Sequence, residues 1–141
     1  MRRARDAGFT LIEIMVVVFI LGLLVTLVAP RIVGRTDEAR RTKAAADLKG
    51  IEEALHLYKL DNGFYPTTDQ GLAALVQPPE SGNLPRRWNP DGYLEVMPVD
   101  PWGNAYVFLS DGDTYTLKSY GADGAEGGEG KYADIDKHTQ L

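Results

Sequence analysis

Two places in this 141-residue chain hold residue types and spacings suited to ionic chemistry. The first is Glu13. It sits in Phe9-Thr10-Leu11-Ile12-Glu13, at the head of the uncharged run IMVVVFILGLLVTLVAP over residues 14–30. A carboxylate at membrane depth costs about 3 kcal/mol, so it calls for a positive partner, such as one on a neighbouring molecule. The second place is residues 121–136, where Asp123, Glu126, Glu129, Asp134 and Asp136 interleave with glycines. Carboxylates and carbonyl oxygens on a chain able to wrap closely suit a hard cation such as calcium, which takes about six to eight oxygens. The spacing is not that of an EF-hand. The same residues read equally well as a flexible acidic loop with no ligand.

Other chemistries lack their residues. The chain has no cysteine and two histidines, His56 and His138, so zinc-ligand spacing is absent. No strand-to-helix nucleophile turn is recognisable. The glycine-rich stretch is acidic and would repel phosphate. The expectation is that the chain is not an enzyme. A formal net charge of −5 excludes the basic footprint of a nucleic-acid binder. Positive residues gather early, at Arg2, Arg3, Arg5, Arg31, Arg35, Arg40, Arg41 and Lys43, and the C-terminal half is acidic.

The elements that must carry these residues follow from hydrophobic period. Residues 9–32 form an apolar segment of about 20 apolar residues, roughly 30 Å as a helix, which matches a bilayer core. The basic residues ahead of it keep the N-terminus cytoplasmic and place the rest of the chain across the membrane. A cleaved secretory signal and a plain single-pass anchor are the alternatives. The end of the run, Thr26-Leu27-Val28-Ala29-Pro30, suits a small-x-small cleavage site poorly. Gly22, Pro30 and Gly34 weaken the helix, and a kink or local melting between residues 22 and 30 is expected when subunits pack.

Residues 33–61 continue as an amphipathic helix. Thr36 or Asp37 can cap a restart, and Ala44, Leu48, Ile51, Leu55 and Tyr58 recur at helical spacing as one apolar stripe. The helix stops near Leu60, before Asp61-Asn62-Gly63. Residues 62–141 then form a small domain. The segment from Asn62 to Val76 reads as a turn followed by a short helix, with Thr68 or Asp69 as its N-cap, and a proline-rich loop comes after it. Pro98-Val99-Asp100-Pro101-Trp102-Gly103-Asn104 reads as a tight turn with Trp102 as a core anchor. Residues 106–109 and 115–120 read as strands joined by a hairpin turn at Ser110-Asp111-Gly112-Asp113. The fold class is α+β: a long N-terminal helix packed on a small antiparallel sheet of two or three strands.

GFTLIEIMVVVFILGLL resembles the N-terminal signature of type IV pilins and of the pseudopilins of type II secretion. YP-TT-DQGLAAL, the GYL-to-PVDPWGNAY block and the terminal YGADGAEGG together resemble the major pseudopilins of type II secretion systems, and the likeness covers nearly the whole chain. The resemblance implies a type IV pilin-like fold. It implies a leader over residues 1–8, cut by a prepilin peptidase between Gly8 and Phe9, with methylation of Phe9 and with Glu13 as the fifth mature residue. The Glu13 carboxylate would meet the Phe9 ammonium of another subunit, fixing register in a homopolymer.

The implied function is that of a structural subunit of a periplasmic pseudopilus that drives export of folded exoproteins. Its implied partners are minor pseudopilins and an inner-membrane assembly platform, with single-pass inner-membrane anchoring and a periplasmic C-terminal domain. The alternatives are a subunit of a true surface pilus for adhesion, motility or DNA uptake, and a monomeric anchored binder using residues 77–90. Major pseudopilins bind calcium in the C-terminal loop, and the resemblance carries this to the Tyr120 carbonyl and Asp123. Asp134 is retained, while Glu126, Glu129 and Asp136 can substitute for other ligands. The chain departs from the family pattern just before Ala133-Asp134-Ile135, where Gly130-Lys131-Tyr132 replaces an Asp-rich run.

Overall fold

A computed structural model describes residues 8–139. The expected leader residues 1–7 and the last two residues of the tail lie outside the described part, as do the side chains of residues 27–35. The chain divides into two compact units, Met1–Thr36 and Asp37–Leu141.

Helix α1 spans Leu11–Asn62. It runs through Thr36 and Asp37 without a break, so no capped restart occurs there. Propensity explains this: Glu38 through Ala46 is rich in Ala, Arg, Lys and Glu, all strong helix formers. In the first unit, every large apolar side chain from Phe9 to Val25 is exposed, with Phe9 at 81% and Phe19 at 69%. No helix is long and apolar enough, among the described residues, to cross a membrane.

In the second unit the α1 stripe is buried as its spacing requires. Ala44, Leu48, Ile51, Leu55 and Tyr58 join Ala54 in a core with Tyr65, Leu72, Ala74, Leu75, Tyr106, Phe108, Leu117 and Ile135. His56 lies outside the core, and its Nδ1 is 3.1 Å from the Tyr65 hydroxyl.

The sheet is antiparallel, in the order β1-β2-β3, with β1 at Val107–Ser110, β2 at Tyr115–Ser119 and β3 at Ile135–Asp136. Val107 pairs with Lys118 and Ser110 with Tyr115. The turn is therefore Asp111 to Thr114, one residue later than the sequence suggests. Asp111 decides this: its Oδ1 accepts from the backbone N–H of Asp113 (2.9 Å) and Thr114 (2.8 Å), as a turn-initiating Asp does.

Leu72–Leu75 is a 3₁₀ turn rather than a capped α-helix. Neither Thr68 nor Asp69 caps it: Gly71 holds the N-cap position at φ 60°, with no side-chain hydrogen bond. Thr68 is instead committed to β1, where its Oγ1 accepts from Ser110 N at 2.8 Å. Trp102 is half-buried against the core. Trp88 packs there as well, and its indole N–H donates to the Ala74 carbonyl at 2.9 Å.

Candidate functional site

At the N-terminus, Thr10 and Glu13 bond reciprocally. The Glu13 N–H donates to Thr10 Oγ1, and the Thr10 N–H donates to Glu13 Oε2, each at 3.3 Å. This is a capping box, which satisfies two of the amide donors orphaned at a helix start. It also places a negative charge on the positive end of the helix dipole. Thr-x-x-Glu ahead of an apolar run is a sequence-legible signature, overshadowed here by the depth of the charge. Gly8 and Phe9 precede the helix and are exposed.

The C-terminal loop is built on β2 and β3. Lys118, in the middle strand, faces it. Its ammonium lies 2.7 Å from Glu126 Oε1 and 3.3 Å from Asp134 Oδ2, and 5.0 Å from the centroid of the Tyr120 ring. The hydrogen bond that the ammonium donates to Glu126 is the foremost reason that the Lys118 pKa is raised above the ordinary lysine value. Asp134 is fixed from its other side as well. Its Oδ1 accepts from Gly127 N, and its own N–H donates to the Gly127 carbonyl, both at 3.1 Å.

The remaining expected cation ligands point elsewhere. Asp123 is exposed and its Oδ1 accepts from Ala125 N at 3.2 Å. Glu129 is exposed, and its carbonyl accepts from Tyr132 N at 3.2 Å. Tyr120 immediately precedes the 3₁₀ turn Gly121–Asp123. Asp136 accepts from His138 N at 2.9 Å and closes the tail with Thr139. No three acidic or histidine side chains are grouped to hold a metal ion, among the described residues. Of the expected acidic ligands, Glu126 and Asp134 share a partner, and that partner is the Lys118 ammonium. As arranged, this donor set does not fit calcium, whose ligands must converge on one point.

Two further contacts position the loop. Arg41 Nη1 on α1 donates to the Ala133 carbonyl at 2.8 Å. Asp100, in the turn ahead of β1, is 3% exposed. Its Oδ1 accepts from Trp102 N (3.1 Å) and Asn104 N (2.8 Å), while its Oδ2 accepts from the Ser119 hydroxyl at 2.8 Å. Ser119 Oγ in turn accepts from Gly121 N at 3.1 Å. The Pro98-to-Asn104 block is thus a turn, as its prolines and Gly103-Asn104 suggest, but its centre is a buried carboxylate. An Asp followed two and four residues on by turn amides is the signal that could have found it.

Two family models match the chain. The model for type II secretion system protein G covers residues 31–138, and the prokaryotic N-terminal methylation motif covers residues 3–29. This chain belongs to the type II secretion protein G family. Among curated relatives, the type II secretion system core protein G of Pseudomonas aeruginosa is 54% identical over 96% of both chains. That of Vibrio cholerae is 51% identical over 93% of this chain and 90% of its own. The crystal structure of the major pseudopilin of enterohaemorrhagic Escherichia coli superposes with a TM-score of 0.64 at 42% identity, covering 72% of this chain and 85% of that one.

These matches decide between the two filament classes that the N-terminal signature leaves open. The chain is a pseudopilin of type II secretion rather than a surface-pilus subunit, a structural protein and not an enzyme. Its pilin-like fold, a long N-terminal helix with a three-stranded antiparallel sheet, is that of the major pseudopilins.

Proposed function

We propose that this pseudopilin is made as a membrane precursor, cut between Gly8 and Phe9 by a prepilin peptidase, methylated at Phe9, and polymerised into a periplasmic filament. In this reading the inner membrane holds it by one span before assembly. An inner-membrane platform drives polymerisation, and minor pseudopilins join the same filament. The growing filament pushes folded exoproteins toward an outer-membrane channel.

One observation carries the reading. Every large apolar side chain from Phe9 to Val25 stands exposed on the first unit. A soluble monomer rarely leaves so large an apolar patch uncovered. Lipid before assembly and neighbouring helices afterwards provide the cover. The methylation-motif match over residues 3–29 supports cleavage at this end.

Glu13 then has two partners in sequence. Within the chain it caps the helix through Thr10. After cleavage, the new α-amine at Phe9 is mostly protonated at neutral pH. In an apolar bundle a carboxylate and an ammonium from adjoining subunits fix register, because either one left unpaired is heavily penalised. Mass spectrometry of the mature protein tests processing: the N-terminal peptide should begin at Phe9 and carry one methyl group. Filaments built from subunits that retain residues 1–8 would overturn the reading.

A further inference from the structure

We propose that Lys118 is a built-in cation that closes the C-terminal loop of this chain, so that the loop folds without calcium. The proposal concerns the loop's own stability and stands apart from how the filament works.

Three observations meet at this point. First, the Lys118 ammonium bridges the middle of the loop to its end, with Glu126 at 2.7 Å and Asp134 at 3.3 Å. It does so from a partly sheltered position: the Lys118 and Asp134 side chains are 19% and 21% exposed. Second, the loop is already shaped around that bridge. Asp134 and Gly127 exchange two hydrogen bonds. Gly128 at φ +85° lets the backbone pass so close under the Tyr132 carbonyl that a Cβ would collide with it. Third, the acidic side chains of the loop do not converge on one point, as the ligands of a divalent ion must. Lys131 and Tyr132 stand just before Ala133-Asp134, and the Lys131 ammonium lies over the Tyr132 ring at 4.8 Å. Asp123 turns its Oδ1 to a backbone amide.

The electrostatics are exclusive. A divalent ion ligated by Glu126 and Asp134 would sit within an ion-pair distance of the Lys118 ammonium, and like charges that close repel strongly. Either the lysine or the metal holds the two carboxylates. A lysine tethered to the central strand is always present at the site. A weakly held ion must be drawn from solution, and extracellular modules of this kind bind with dissociation constants of about 10⁻⁴–10⁻³ M.

The test is thermal unfolding of the full-length chain in detergent micelles, with EGTA or with calcium chloride at about 5 mM, above that affinity range. The wild-type melting temperature should differ by less than about 2 °C between the two conditions, since saturable binding to the folded state alone would raise it further. Lys118→Met, which keeps the apolar stem and removes the charge, should lower the melting temperature in EGTA by about 4 °C. A calcium-induced rise of more than about 2 °C in the wild type overturns the proposal. So does a Lys118→Met chain that melts with the wild type. The wild-type comparison needs no variant, so the proposal remains exposed to failure even if Lys118→Met does not fold.

Discussion

The Ser119 hydroxyl donates to Asp100 Oδ2 at 2.8 Å, joining β2 to the turn that precedes β1 with both residues buried. The pair binds the most discriminating sequence block of the chain, Pro98 to Asn104, to the origin of the C-terminal loop. The Asp100 carboxylate accepts three hydrogen bonds, two of them from backbone amides. Each donor left buried and unpaired costs about 1–3 kcal/mol. Asp100→Ala should therefore cost about 3 kcal/mol or more, and Ser119→Ala about 1–2 kcal/mol. Urea denaturation of the two single variants and of the double variant measures both. If the double variant loses the full sum of the two, the residues act independently and the network account fails.

Glu13 offers a separation of roles. Glu13→Gln keeps a side-chain acceptor for the Thr10 N–H, since glutamine also completes a capping box, but removes the charge. Glu13→Ala removes both. Both variants should insert in the membrane and both should fail to form normal filaments, because the ion pair with Phe9 needs the charge. Electron microscopy of cells overproducing each variant is the readout. Normal filaments from Glu13→Gln would assign Glu13 to capping alone.

Gly128 sits at φ +85° beneath the Tyr132 carbonyl, where a Cβ has no room. Gly128→Ala should open the loop locally at a cost of about 1–3 kcal/mol for the strained backbone. Amide exchange at Gly127 and Asp134, which bond each other across the loop, should quicken while exchange at Ile51 and Leu55 in the core stays slow. Equal acceleration at all four would make the loop part of the global unfolding unit.

Alkali should unfold the domain. Burial raises the Tyr58 phenol to about 12, with the neighbouring Tyr93 adding to it. Burial also raises Tyr106, whose hydroxyl donates to Asp47, and Tyr115, whose hydroxyl donates to Glu52. A phenol held protonated in the fold but ionising near 10 when unfolded contributes stability that is full below pH 10. That contribution falls as pH rises from about 10 toward 12. Tyrosinate absorbance should therefore rise in two stages. The buried phenols ionise in the later stage, together with loss of near-ultraviolet dichroism. A single step near pH 10 with the fold intact would contradict the burial argument.

Periodic features were legible in the chain itself. The stripe Ala44, Leu48, Ile51, Leu55 and Tyr58 is buried as its spacing dictates, and the β-rich runs around Phe108 and Leu117 pair in a hairpin. Local competition was less legible. Thr68 could cap a helix or bond a strand, and the strand won. Asp111, rather than Ser110, opens the hairpin because its side chain reaches two amides. Ile135 and Asp136 form a strand too short to announce itself, and β2 supplies its hydrogen bonds.

Residue order along the chain determined the apolar N-terminal run with its lone acid, the amphipathic stripe, the turn chemistry and the family blocks, because each depends on neighbours within a few positions. Tertiary structure decided what the charges do. Lys118 is eight residues from Glu126 and sixteen from Asp134, and Asp100 is nineteen from Ser119. No local period links such pairs, and they meet because the pairing of β1, β2 and β3 brings their segments together. The physical reason is range: hydrophobic periodicity is written every two or four residues, whereas an ion pair is recognised only once the fold has brought its partners within a few ångströms.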